Sequence, residues 1–121
     1  MTNGARVWGE IELELEVKDW LGSLAKRDFS QAMAHIDLLA REGNHLSEPH
    51  SRQLRGRLRE LRFFVNGSPH RITYFVQSGR RIILLTVFRK TKQRERAEID
   101  RAERAMRRCI AEGHTAEEDL P

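Results

Sequence analysis

The sequence predicts an α+β domain, and three observations carry that reading. Apolar and acidic residues alternate near the N-terminus, two stripes of helical period follow, and a run of strands punctuated by turn signals then leads into a last helical stripe.

In "VWGEIELELEV", Val7, Ile11, Leu13, Leu15 and Val17 share one face, and Glu10, Glu12, Glu14 and Glu16 share the other. That is the period of a half-buried strand. The period then changes, because Val17, Trp20, Leu21 and Leu24 fall at i, i+3, i+4 and i+7, one face of a short helix. Asp28, with Gln31 three residues on, reads as the N-cap of a second helix. Phe29, Ala32, Met33, Ile36, Leu39 and Ala40 form its apolar stripe, which ends at Gly43, a suitable C-cap. The two helices are expected to form a hairpin against the sheet. Residues 44–51, "NHLSEPHS", read as a loop.

From Leu58 the chain reads as a three-stranded antiparallel meander, "LRELRFFV", "HRITYFV" and "RRIILLTVF", joined through Asn66-Gly67 and Ser78-Gly79. The third strand is apolar on both faces, which predicts that it is the centre of the sheet and that the N-terminal strand joins elsewhere. Ile99, Ala102, Met106 and Cys109 or Ile110 then give the stripe of a C-terminal helix. On its outer face Asp100 and Arg104, and Glu103 and Arg107, are acid-before-base pairs at i, i+4. A single domain is expected over 1–112, with 113–121 as an acidic tail.

Composition removes several classes. Hydrophobic residues make up 39% of the chain, enough for a core, so disorder is excluded. The one cysteine, Cys109, permits no internal disulfide and no thiol-based metal cluster, which fits a reducing cytoplasm. The longest apolar run, Ile82 to Phe88, is of strand length, and no apolar run follows a basic start, so neither a membrane span nor an export signal is expected. His45 and His50, with Glu48 between them, have no second cluster to complete a metal site, and no metal or other cofactor is expected.

Charge is informative in its distribution. Residues 1–20 carry two basic and five acidic groups, whereas 52–62 carry five and one, 89–108 nine and four, and 109–121 none and four. Within the basic half, Arg89, Lys90, Lys92 and Arg94 have no acid among them and stand where a strand gives way to a helix, a pattern suited to holding phosphate. Arg55 and Arg57 flank Gly56, Arg71 lies in a strand, and His70 opens that strand. Gathered on one concave face, these groups would bind a nucleic-acid backbone without reading its sequence.

The order of elements, with "LRGRLRELRF", "HRITYFV", "RRIILLTVFRKT" and "EIDRAERAM", resembles the RelE/ParE toxin superfamily, and its HigB-like, phage-associated branch most. The resemblance covers about residues 7–110 and is most specific in the second half. It implies the toxin of a type II toxin–antitoxin pair, cytoplasmic, held by a cognate antitoxin of helix-turn-helix type, and cutting mRNA on the ribosome without a metal. By position it implies Arg71, Lys90, Lys92 and Arg94 as the catalytic set, and Arg55, Arg57, Arg89, Arg96 and His70 as RNA contacts. Where well-known members place a tyrosine in the last helix, this chain has Asp100, the expected partner of Arg104, while Tyr74 falls at a core position. Lys90 or Lys92 is then the candidate base. Two other readings remain open: a ParE-like toxin that binds DNA gyrase, and a non-enzymatic module that binds RNA or the antitoxin.

Overall fold

The computed structural model describes residues 7–93 and 95–113. Strand β1 (Glu10–Leu13) leads into helices α1 (Leu15–Ser23) and α2 (Lys26–Glu42), and a short 3₁₀ turn at Gly43–His45 follows. Strands β2 (Ser51–Arg55), β3 (Leu58–Val65), β4 (Ser68–Gln77) and β5 (Arg81–Arg89) come next, and helix α3 (Glu95–Glu112) closes the order. The five strands form one sheet in the order β1-β5-β4-β3-β2, with β1 parallel to β5 and the other pairs antiparallel. None of the described helices is long and apolar enough to cross a membrane.

The α+β class, the helical hairpin, the meander and the final helix stand as the sequence predicts, with four corrections. The N-terminal strand keeps only four residues, because Leu15 and Val17, which continue its alternation, also fit the helical stripe and are claimed by α1. Residues 51–55, read as the end of a loop and a basic cluster, form a strand paired with β3. The centre of the sheet is β4; β5 is apolar on both faces because it lies inside the sheet between β4 and β1, which pairs with it directly. Helix α2 begins at Lys26 behind Ala25, so Asp28 sits in the first turn, where its charge favours the helix dipole, and is not the N-cap. Gly43 does end α2, at φ +53°, its N–H donating to Leu39 O. A Cβ there would run into the indole of Trp8.

The sheet has two unlike faces. Against one lie α1 and α2, and Val17, Leu21, Ile36 and Leu39 pack on Leu61, Phe63, Ile72, Tyr74, Ile82 and Leu84. On this side the Tyr74 hydroxyl is buried against Ser51 Oγ, so the core placement of that tyrosine holds. The other face is covered by α3 over only one end, where Ala102, Ala105, Met106 and Cys109 meet Leu58, Phe75, Ile83 and Leu85. The pairing slips between Thr73 and Tyr74, where Thr73 lies opposite Thr86 and Tyr74 opposite Leu84. This bulge puts Leu85 and Thr86 on the same side of the sheet and marks the change from apolar to polar surface. Thr73 and Thr86 seal the join with a buried hydroxyl pair at 2.6 Å.

Two outcomes test this packing. Burial, aided by Glu14, Glu12 and Glu112, pushes the Cys109 thiol up to about 11; native protein at pH 8 should resist iodoacetamide while urea-unfolded protein is alkylated, and comparable rates would contradict the docking of α3. Tyr74→Phe should cost about 1 kcal/mol in a denaturant titration, the worth of one buried hydrogen bond.

Candidate nucleic-acid interface

The polar half of the second face begins where α3 stops. Alternation along β3 sends Glu60, Arg62 and Phe64 to this side, and Arg71 and Thr73 come from β4. Arg62 and Arg71 are direct cross-strand partners, and Arg52 stands opposite Glu60 in β2. Lys90 is held at the end of β5, where its N–H donates to Pro69 O. Arg71, Arg62 and Arg52 thus gather round Glu60, and Lys90 joins the group through Glu95, the second carboxylate.

Glu60 is fully buried, and Arg71 retains 6% exposure. Arg71 Nε lies 3.5 Å and Arg62 Nε 3.8 Å from Glu60 Oε2. Neither Glu60 oxygen accepts a hydrogen bond, and neither Nε donates one. The attraction is therefore Coulombic and not that of a hydrogen bond. Burial pushes the Glu60 carboxyl above the usual carboxylate range, while Arg71 and Arg62 pull it back. Burial likewise lowers the Arg71 guanidinium, against the opposing pull of Glu60. For both groups desolvation outweighs the pairing, as expected of a buried ion pair without hydrogen bonds.

The structure brings only part of the predicted set to this place. Arg71 lies at its centre, its Nη1 donating to His70 O. Lys90 is adjacent, but its Nζ is 3.1 Å from Glu95, so it carries its own counter-charge. Lys92 is exposed beyond the end of β5. Arg96 is exposed on the first turn of α3, and Arg94 lies outside the described residues. His70 and Arg89 are cross-strand partners on the opposite face from Arg71. His70, half-buried, packs there at 5.5 Å from the Trp20 ring and 6.2 Å from Phe63, so its ring stands apart from the Arg71 guanidinium.

Arg55 and Arg57 belong elsewhere. Arg55 Nη1 donates to Asp100 Oδ1 at 2.6 Å and Glu103 Oε1 at 3.0 Å, fastening the β2–β3 turn to α3. Asp100 is therefore bound to Arg55 and not to Arg104 as expected, while the predicted Glu103–Arg107 pair forms at 3.3 Å. The Arg57 guanidinium lies 5.2 Å from the Phe75 ring and donates to Val76 O. Phe75 is four residues from Arg71 along β4, about 13 Å of strand, with the α3-packed core between. The two cationic groups do not converge.

Sequence reasoning passed over Glu60, Arg62 and Arg52. The usable signal was the alternation in "LRELRF", which commits Glu60 to the same side as the core position Leu58, so that a buried carboxylate needs arginines near it. Among the described residues no group of three or more His, Cys, Asp or Glu is placed to hold a metal ion.

Residues 19–107 match the model of a family described as phage-derived, Gp49-like protein (DUF891). Comparison with curated protein sequences gave no match. Among solved structures, a double arginine-to-alanine mutant of the E. coli toxin RelE in the free state matches with a TM-score of 0.55 at 16% identity, over 83% of this chain and 96% of that one. The RelBE2 toxin–antitoxin complex of Mycobacterium tuberculosis gives a TM-score of 0.49 at 16% identity, over 68% of this chain and 98% of that one.

The Glu60 environment has a pH signature. A carboxyl raised in the folded state retains its proton after the unfolded chain has released its own, so stability falls as pH rises from the unfolded value through the folded one. Across the acidic range, the thermal stability of the parent should therefore decline relative to Glu60→Gln as pH rises. Parallel curves would contradict the desolvated carboxylate.

Proposed function

Because the chain belongs to the phage-derived, Gp49-like family and carries the RelE fold, we propose that it is the toxin of a toxin–antitoxin pair and acts as a metal-independent endoribonuclease on translated mRNA. The observation that carries this reading is the cluster of Arg52, Arg62, Arg71 and Lys90 on the half of the sheet that α3 leaves open. Four cations against Glu60 and Glu95 leave that surface net positive.

A backbone phosphate seated over Arg62 and Arg71 would meet guanidinium groups already fixed by strand pairing and by Glu60. Such preorganised charge stabilises the dianionic phosphorane-like transition state without reorganisation at the moment of reaction. Attack by the ribose 2′-hydroxyl on phosphorus breaks the bond to the 5′-oxygen of the next nucleotide and leaves a 2′,3′-cyclic phosphate, the hydroxyl proton passing to water and the departing oxygen taking one from water. The step needs in-line geometry, which in this proposal the ribosome supplies by holding the message extended in the decoding site. Arg71 and Arg62 are then the charge-stabilising groups. Lys90 and Lys92 serve as secondary phosphate contacts, and Arg96 extends the cationic path along the first turn of α3. Arg55 and Arg57 take no part. The antitoxin, in this reading, inactivates the protein by covering the same positive surface.

The test is induction in bacteria with mapping of mRNA 5′ ends. The parent should arrest growth and generate new ends in phase with codons. Arg62→Ala combined with Lys92→Ala, made together with Glu60→Gln so that no buried carboxylate is left without its cation, should lower cleavage by about 10²-fold relative to Glu60→Gln alone, the usual effect of losing a preorganised charge donor. Growth arrest without new ends would move the chain to a gyrase-binding role, and no arrest would leave it a binding module.

A further inference from the structure

Beside the arginine pair, at the edge of β3 that β2 does not reach, lies a groove of about 400 Å³. His35 of α2 forms one wall, and Pro49 and His50 of the loop before β2 form another. Phe63, Phe64, Arg62 and Arg71 complete it. We propose that this groove is a nucleobase pocket, which takes one unpaired base of single-stranded RNA while the phosphate of the same nucleotide rests on Arg62 and Arg71. The inference rests on the reading of that surface as an RNA site and extends it from the phosphate to the base.

Three features favour a base over other occupants. Phe64 is 63% exposed although it is a large aromatic residue in a strand, and it sits on the same side as Arg62, two positions away. An exposed ring next to a guanidinium pair is the combination that holds single-stranded nucleic acid, because every base offers a π-face and every nucleotide a phosphate. The opposite wall is also aromatic: His35 stacks on Phe63 at 5.4 Å and 25°, and Phe63 continues through His70 to Trp20. A ring column anchored in the core thus ends at the groove. Finally, the groove is built before any ligand arrives, since Arg62 N–H donates to His50 O at 2.8 Å and ties the loop to the strand. At its floor Arg71 is nine-tenths buried, with an Nε that donates no hydrogen bond.

The chemistry asks for a flat, apolar-faced ligand with polar edges and one anionic substituent. The imidazole edges of His35 and His50 and the pyrrolidine of Pro49 suit such a plane. The walls contain no carboxylate that would repel the phosphate. A hydrophobic peptide side chain would fill the groove but leave two guanidinium groups, which share the single Glu60 carboxylate, with excess positive charge, so the nucleotide is the better match to the lining.

The experiment compares adenosine 5′-monophosphate, ribose 5-phosphate and inorganic phosphate as probes, by titration with NMR detection of the histidine ring signals. The nucleotide should bind about tenfold tighter than ribose 5-phosphate, in line with the strength of base–aromatic stacking, and should shift His35 and His50. Phe64→Ala should abolish that difference while both anions still bind, and Phe64→Trp should preserve it. Equal affinity for the nucleotide and ribose 5-phosphate, or a preference that survives Phe64→Ala, overturns the pocket and leaves the groove to a protein side chain. A tenfold preference with no cleavage in cells keeps the pocket and sinks the nuclease, whereas cleavage without the preference sinks the pocket alone.

Discussion

Glu60 is a fully buried carboxylate that accepts no hydrogen bond and faces the guanidinium groups of Arg71 and Arg62 in the sheet. Such an arrangement is a poor way to gain stability, because the cost of stripping water from the ions exceeds what their attraction returns. What it does provide is direction. Arg71 cannot turn away without abandoning a buried anion, and Arg62 is drawn to the same point from the neighbouring strand. Fixed guanidinium groups on a rigid strand pair hold a phosphate better than the same groups on flexible stems in water. The polar half of this face exists because Glu60 requires cations, and those cations require access to solvent.

The division of that face follows from the bulge at Thr73 and Tyr74. On one side of it, Leu58, Phe75, Ile83 and Leu85 receive α3; on the other, the two threonines close the apolar layer and charged residues begin. The far edge of the sheet is managed as carefully. Strand β1 covers β5 only as far as Leu84, and beyond it the N–H of Val87 donates to Glu16 Oε2 while Arg101 donates to both Glu16 and Val87 O. A carboxylate and a guanidinium therefore stand where a further strand would bind, which blunts an edge that would otherwise invite pairing between chains.

Periodicity made much of this fold legible. The helical stripes ending at Gly43 and Cys109, and the Asn66-Gly67 hairpin, are local signals, and they survive in the structure almost residue for residue. The order of strands was less accessible. An apolar run such as Ile82 to Phe88 shows that both its faces are covered, but it does not say whether the strand is the middle of five or the second from an edge. The site was read with mixed success for a related reason. Charge runs indicate which residues are cationic, whereas pairing is decided by partners distant in sequence. Nothing near Arg55 announces that Asp100 and Glu103, 45 and 48 residues away, will meet it. His70 beside Arg71 illustrates the strand's alternation, since neighbours in sequence face opposite ways.

The parallel pairing of β1 with β5 also orders events in time. Glu10 lies beside Arg81, 71 positions later in the chain. At roughly 5–20 residues per second, translation leaves the first strand waiting about 4–14 s for its neighbour, and the long loop this closes makes the step slow even when both are present. The strand made first is thus among the last to find its place, because its neighbour exists only once two thirds of the chain has been made.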